Sequence, residues 1–354
     1  MKIRTAGPGA AALALALSLA ACGSGGKQAD GGGSAGGGAA AAGGKVAVDL
    51  PRADSDFWNS YAKYVPQQAK QLGVDLMPPT NSQNDVAKLV ANVQALVSQG
   101  AKAVVMAPQD TGAVASTLQQ LAGKKIPVVT VDTRPDKGDT FMVVRTDNRL
   151  YGSEACKFLG DKLGGTGKVI EFQGSLSSVN GRDRSEAFAE CMKTNYPGIQ
   201  VFAEPTEWEG PKAAAALQTR LTQHPDIKGV YMQAGGVFLA PTLQVLKSKN
   251  LLVGPDDPNH IFIVSNDGIP QELQAIRDGQ IDATLSQPAD LYAKYGVYYA
   301  KAAIEGKTFA PGPTDHDSTI VDVGGGRLED QLKAPLVTKD NVDDPALWGN
   351  QVGK

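Results

Sequence analysis

Between residues 45 and 304, short apolar runs alternate with longer segments whose apolar residues recur at helical spacing. That alternation restricts the fold more than any single motif does. Residues 46–50 read as a strand, 57–72 as a helix closed by Gly73, and 74–77 as the next strand. Residues 84–98 carry Val86, Leu89, Val90, Val93, Leu96 and Val97 at helical spacing and stop at Gly100. A strand at 103–107, a helix at 112–121 and a strand at 127–132 follow. Strands alternating with amphipathic helices through short Gly, Pro and Asp turns predict a parallel sheet covered on both faces.

The rhythm then repeats. Predicted strands at 141–144, 168–172, 201–203, 229–232, 261–265 and 283–285 are each followed by a helix, at 150–163, 182–195, 212–222, 238–247, 270–277 and 291–304. So many units exceed one open sheet of ordinary size, and two Rossmann-like α/β domains are the economical solution. A closed eight-stranded βα barrel is the topological rival, being of similar length. Beyond the last helix, 319–323 reads as one more strand, Gly324-Gly325-Gly326 as a turn, and 334–338 as an extended piece before Trp348. Such a tail has to dock, and Leu336, Val337, Leu347 and Trp348 are its expected anchors.

The N-terminus reads differently. Met1-Lys2-Ile3-Arg4 is a basic head and the run through Ala21 is mostly Ala and Leu, a pattern of export-signal length that falls short of a bilayer span. Leu19-Ala20-Ala21-Cys22 resembles a bacterial lipobox, which implies a signal peptide over 1–21 and a lipidated Cys22. The alternative is an ordinary secretory signal with an incidental cysteine. Residues 22–44 are nearly all Gly, Ala and Ser and predict a flexible, lipid-anchored tether. The formal net charge of -3, with no basic block, removes the electrostatic footprint of a nucleic-acid binder. With Cys22 set apart, Cys156 and Cys191 remain, each in a predicted helix flanking the 168–172 strand. They are expected to pair as a structural disulfide in an oxidising compartment, the alternative being two separate buried thiols.

In parallel α/β domains ligands sit beyond the carboxyl ends of the strands. The groups there are Arg52, Asp54, Ser55, Asp56, Phe57 and Trp58 after the first strand, and Asp132, Thr133 and Arg134 after the 127–132 strand. Asn180, Arg182, Arg184, Glu207, Trp208, Gln233, Asn266, Asp267 and Gln287 follow in the second half. Aromatic faces with Asp, Arg, Asn and Gln suit a pyranose or furanose, whose C–H faces need flat apolar cover and whose hydroxyls need planar polar partners. The first turn carries neither GxGxxG nor GxxxxGK, which disfavours a nucleotide. No His/Cys/Asp grouping has metal spacing, so neither a metal nor a cofactor is expected.

Over residues 45–309 the chain resembles the type I periplasmic sugar-binding proteins of the ribose-binding family. The resemblance is carried in order by Asp56-Phe57-Trp58, Asn92-Val93-Gln94, Val129-Thr130-Val131-Asp132, Asp147-Asn148 and Glu171-Phe172-Gln173-Gly174. Arg182-Asp183-Arg184, the run Leu221 to Asp226, Asn266-Asp267-Gly268 and the run Ala283 to Gln287 complete it. It implies two Rossmann-like domains with parallel sheets, joined by a three-strand hinge, that close on a ligand. The N-terminal domain would be 45–145 plus 288–317, and the C-terminal domain 146–287 plus 318–354. Phe57, Trp58 and Trp208 would cover the sugar. Asp132, Arg184, Asp267 and Gln287 would bind its hydroxyls. Ser55, Asp56, Arg134 and Gln233 complete the implied ligand set.

Three departures loosen the substrate. Asp132 is followed by Thr133, with Arg134 one place late; Ser55 stands near the family's first-loop Asn; and the turn at 233–236 is Gln-Ala-Gly-Gly. The reading is therefore a non-enzymatic, monomeric solute receptor held outside the cell membrane, binding a neutral monosaccharide or polyol for an ABC-type import permease. A sensory receptor subunit, or a receptor for a furanone or nucleoside, is the alternative. A carbohydrate-active enzyme would need an acid/base pair, for which Asp132 with Asp267 is the one attractive candidate. A sugar-responsive transcription regulator shares the core, but a secretion signal stands in place of its DNA-binding head.

Overall fold

A computed structural model describes residues 44–352. The signal segment, Cys22 and the tether up to Gly43 lie outside the described residues. The chain runs β1 (Lys45–Leu50), α1 (Asp56–Gln71), β2 (Thr80–Asn81), α2 (Val86–Ser98), β3 (Ala101–Met106), α3 (Ala115–Gly123), β4 (Val128–Val131) and β5 (Met142–Thr146). It continues through α4 (Asn148–Lys162), β6 (Thr166–Gln173), α5 (Val179–Asn195), β7 (Gly198–Pro205), α6 (Gly210–Gln223), β8 (Ile227–Met232), α7 (Gly235–Ser248), β9 (Phe262–Asn266), α8 (Pro270–Arg277), β10 (Ala283–Leu285) and α9 (Ala289–Ile304). Strands β11 (Gly312–Pro313), β12 (Thr319–Asp322), β13 (Leu328–Leu332) and β14 (Leu336–Thr338) precede a short 3-10 turn at Trp348–Asn350.

These strands form two separate sheets and not a closed barrel. The first has the order β11-β12-β13-β5-β4-β3-β1-β2 and the second β14-β10-β9-β8-β6-β7. Strands β1 to β5 and β6 to β10 pair in parallel, with antiparallel additions at β11, β12 and β14. Burial on both faces explains the continuous apolar runs. In β3, Ala103 and Val105 pack under α1 and α9, while Val104 and Met106 pack under α2 and α3. The second sheet likewise has α6, α7 and α8 on one face and α4 and α5 on the other.

The chain passes between sheets at three places: from β5 into α4, from β10 into α9, and from β13 into β14. The first two are stitched together, since the Thr146 amide donates to the Tyr292 hydroxyl at 3.1 Å and the Thr146 hydroxyl contacts both Tyr151 and Tyr292. The Cys156–Cys191 disulfide joins α4 to α5, which excludes two separate thiols. Among the described residues no helix is long and apolar enough to cross a membrane.

Two expectations change. The 74–77 run makes only a bridge to β1, through Val46 and Leu76, and the paired strand is Thr80–Asn81. Pro78 and Pro79 lie between them and bring no N–H to a ladder. Residues 319–332, assigned by the sequence to the second domain, return to the first sheet, where β13 pairs with β5 in parallel. Only the chain from β14 onward lies on the second sheet, with Val337, Val342 and Leu347 in its core. Trp348 reaches back to the first core and meets Phe57 edge-on at 5.9 Å.

Candidate functional site

The carboxyl ends of both sheets face one cleft. From the first lobe come Arg52, Ser55, Phe57 and Trp58 after β1, Gln109 after β3 and Asp132 after β4. The second lobe gives Ser178, Asn180 and Arg184 around the start of α5, Trp208 after β7, Ala234 and Val237 at α7, Asp267 after β9 and Gln287 after β10. The cleft holds about 430 Å³ of empty space, its open mouth included.

Arg184 organises the second lobe's wall. Its Nε donates to Asn148 Oδ1 at 2.6 Å, Nη1 to the Gln233 carbonyl at 2.5 Å and Nη2 to Gln287 Oε1 at 3.0 Å. The guanidinium carbon lies 5.1 Å from the Tyr151 ring centre and 5.8 Å from that of Trp208. A close approach of α4 and α5 puts Arg184 beside the hinge, for a Cβ on Gly152 would lie 2.2 Å from the Arg184 carbonyl oxygen. Asp267 accepts from Gln287 Nε2 at 2.7 Å and from the Gly236 amide at 2.7 Å. The first-lobe acid, Asp132, accepts from Asn180 Nδ2 of the opposite lobe at 2.8 Å. Asn180 in turn accepts from Arg145 Nη2 at 2.9 Å.

Burial dominates the electrostatics. It raises the Asp132 carboxyl to about 6, against the opposing pull of Arg184 and Arg145. It also raises Asp267 and, behind it, Glu272, which caps α8 by accepting from the Gly268 and Ile269 amides at 2.7 and 3.1 Å. Two buried acids thus flank one cleft guanidinium, an arrangement suited to accepting hydrogen bonds from the hydroxyls of a neutral, many-hydroxyl solute.

Trp208 closes the cleft from the second lobe. Its ring lies where a side chain at 174 would be, since a Cβ on Gly174 would sit 1.9 Å from Trp208 Cη2. The indole Nε1 is buried with no partner among the described residues. Ser55 is the N-cap residue of α1 yet makes no capping bond with its side chain, which leaves its hydroxyl to the cleft.

The structure brings Ser55, Phe57, Trp58, Asp132, Arg184, Trp208, Asp267 and Gln287 into this one cavity, as the sequence grouped them. Three predicted members stand elsewhere. Asp56 is exposed at the rim and accepts from Gln271 Nε2 at 3.1 Å. Arg134 turns away to pair with buried Glu329 at 3.2 Å. Gln233 lies behind Arg184 with its amide spent, accepting from the Gly174 amide and donating to Glu171 and Ser185. Arg52 and Asn180, noted among the strand-end groups but not carried into the predicted ligand set, line the cavity, as do Gln109 and Ser178, which sequence reasoning missed. Gln109 follows Ala107-Pro108 at the end of the third predicted strand, the same signal that found the others. Among the described residues no group of His, Cys, Asp and Glu side chains is arranged to hold a metal ion.

The family described as "Periplasmic binding protein domain" matches residues 46–308. The ribose import binding protein of Salmonella typhimurium is 31% identical over 271 residues, covering 76% of this chain and 88% of that one. A xylitol-binding protein of Mycolicibacterium smegmatis is 25% identical over 336 residues, covering 94% of this chain and 85% of that one. Among solved structures, an ABC transporter solute-binding protein from Mycobacterium smegmatis with bound glycerol superposes with a TM-score of 0.73 at 26% identity, covering 85% of this chain and 96% of that one.

Proposed function

The chain belongs to the periplasmic binding protein domain family, and from that premise we propose that it captures a neutral monosaccharide or polyol in the cleft and delivers it to an ABC-type import permease. The observation that carries the reading is one cavity lined from both lobes by Asp132, Arg184, Asp267 and Gln287 together with Trp58 and Trp208. Carboxylates accept from solute hydroxyls, the guanidinium and carboxamide donate to solute oxygens, and the aromatic rings cover C–H faces. The unpartnered Trp208 N–H adds a donor that an oxygen-rich solute would satisfy. The names of the relatives point the same way: ribose import, xylitol binding and a bound glycerol.

In this reading the two sheets with their helices are the lobes of a clam, hinged at the three crossovers, and the solute stabilises the closed form by touching both. The closed pair presents a joint surface to the permease. No bond in the solute is made or broken. The chain works as a monomer outside the cytoplasm, with a lipid on Cys22 and the Gly-rich segment after it holding the binding body at the membrane face.

Titration calorimetry of the purified chain against pentoses, hexoses, deoxy sugars and polyols tests this. One tight, one-to-one ligand recovered chemically unchanged is the expected result. Failure of every sugar and polyol to bind, or turnover of the one that does, would refute it.

A further inference from the structure

We infer that Thr111 of the first lobe is a positioning residue for closure, completing from across the cleft the N-terminal cap of the helix that carries Asn180 and Arg184. Helix α5 begins without the usual cap, because its N-cap residue Ser178 makes no side-chain bond to it. The first helical amide, Val179 N–H, instead donates to Thr111 Oγ1 at 3.2 Å. The Thr111 amide donates to the Ser177 carbonyl at 3.2 Å, so the two lobes are tied through backbone and side chain at one point. The Thr111 hydroxyl has its own acceptors in Ser177 O at 3.2 Å and Asp136 Oδ1 at 3.1 Å.

Asp136 extends the node. Its amide donates to the Thr111 carbonyl at 2.9 Å, and its carboxylate accepts from Arg182 Nη2, on α5, at 2.5 Å. Thr111 is fully buried, whereas Arg182 and Asp136 are each about one-third exposed, at 33% and 36%. An ion pair one-third exposed adds little, so the hydroxyl carries the node. Neither Thr111, Asp136, Ser177 nor Arg182 lines the ligand cavity. The opposite edge is built differently: there Arg52 donates to the Trp208 carbonyl at 3.1 Å, and both residues line the cavity. Thr111 is therefore a place where closure is altered without touching the solute.

The role follows from population shift. If the lobes part, Val179 N–H and the Thr111 hydroxyl lose each other and turn to water; if they close, α5 is capped and Asn180 and Arg184 are presented on a helix with a completed first turn. Losing the hydroxyl lowers the ratio of closed to open protein about tenfold. Where the closed form is the minor one without ligand, every solute's apparent dissociation constant rises by that same factor.

This rests on the reading of the lobes as a closing pair, but not on which solute binds. The test is the distance between labels on exposed Lys124 of one lobe and Lys247 of the other, measured by pulsed electron resonance on the ligand-free full chain. Thr111→Val should lower the ratio of short to long distance about tenfold, and Thr111→Ser, which keeps the hydroxyl, should restore it. Calorimetry of the same samples with D-ribose and xylitol should give dissociation constants raised by a matching factor in Thr111→Val alone. Should Thr111→Val not fold, Arg182→Gln reads the same node and should lower the ratio about twofold. An unchanged ratio in the folded variant overturns the inference and leaves solute binding standing. A wild type with one distance, with and without ribose or xylitol, overturns closure itself.

Discussion

In the proposed reading Asp132 serves binding at the expense of stability, and Asp132→Asn measures both sides. The carboxyl is buried to 6% exposure and raised from 3.8 to about 6. At about 1.4 kcal/mol per pH unit the rise corresponds to about 3 kcal/mol of destabilisation when the group is ionised. The sign is fixed by linkage: a carboxyl raised in the folded state binds more protons folded than unfolded, so its penalty is absent below about 4 and grows until the pH passes about 6. Asparagine keeps an oxygen for the bond from Asn180 Nδ2 and removes the charge that Arg184 and Arg145 only partly offset. It also removes the Asp132 contribution to the raised Asp267 carboxyl, which adds in the same direction.

Unfolding of the two proteins should therefore be compared at pH 7.5 and pH 4. At pH 7.5 the variant should melt about 5 °C higher, and at pH 4 the gap should nearly vanish. The other buried acids titrate in both proteins and largely cancel in the difference. Affinity should move the other way, with a dissociation constant for the bound sugar or polyol about 10-fold to 100-fold higher, since a charged acceptor becomes a neutral one. A variant less stable at pH 7.5, or an advantage that persists undiminished at pH 4, would refute the electrostatic argument.

Two further changes probe the scaffold. Gly174→Ala puts a methyl group 1.9 Å from Trp208 Cη2, so the ring must leave its place; calorimetry should show about tenfold weaker binding, with altered tryptophan fluorescence and little change in melting. Replacing Cys156 and Cys191 together by Ser opens a bridge between residues 35 apart and should destabilise the protein by about 4 kcal/mol in denaturant titration. Neither cysteine lines the cleft, so calorimetric affinity in native buffer should stay as it was.

The fold was largely legible because both faces of each parallel sheet are buried, which writes every strand as an apolar run and every covering helix as a periodic one. What failed did so for reasons outside those runs. The return of 319–332 to the first sheet depends on β13 finding the edge of β5, a pairing between segments some two hundred residues apart. The site followed the same division. Strand ends announce which residues approach the cleft, but not which way a side chain turns there. Arg134 sits one place after Asp132 and Thr133 and leaves the cavity because Glu329 waits 195 positions away. Gln233 is at a strand end too, yet Glu171 and Ser185 absorb its amide and make it support for Arg184.

The least legible part of the site is backbone conformation, and it is also the part that fixes geometry. Asp132, Trp208 and Asp267 have φ of +64°, +59° and +120°, values that non-glycine residues rarely hold. Glu207, before Trp208, is at +52°. Each such residue costs of order 1–3 kcal/mol and persists only where its surroundings over-determine it. Here they do. Asp132 N–H is held by Val144 O at 2.8 Å, Asp267 N–H by Leu285 O at 3.0 Å, and the Trp208 turn by Thr206 and Glu209 bonds on either side. Among the described residues nine non-glycine positions have positive φ; three of them, Asp132, Trp208 and Asp267, line the cavity, while Arg52, Ser55, Arg184 and Gln287 line it from ordinary backbone. An apolar run does not encode such turns, which come one residue after β4 and β9 and three residues after β7. In the proposed reading these three turns, held by backbone hydrogen bonds, fix cavity-lining side chains from both lobes, and the three crossovers supply the hinge.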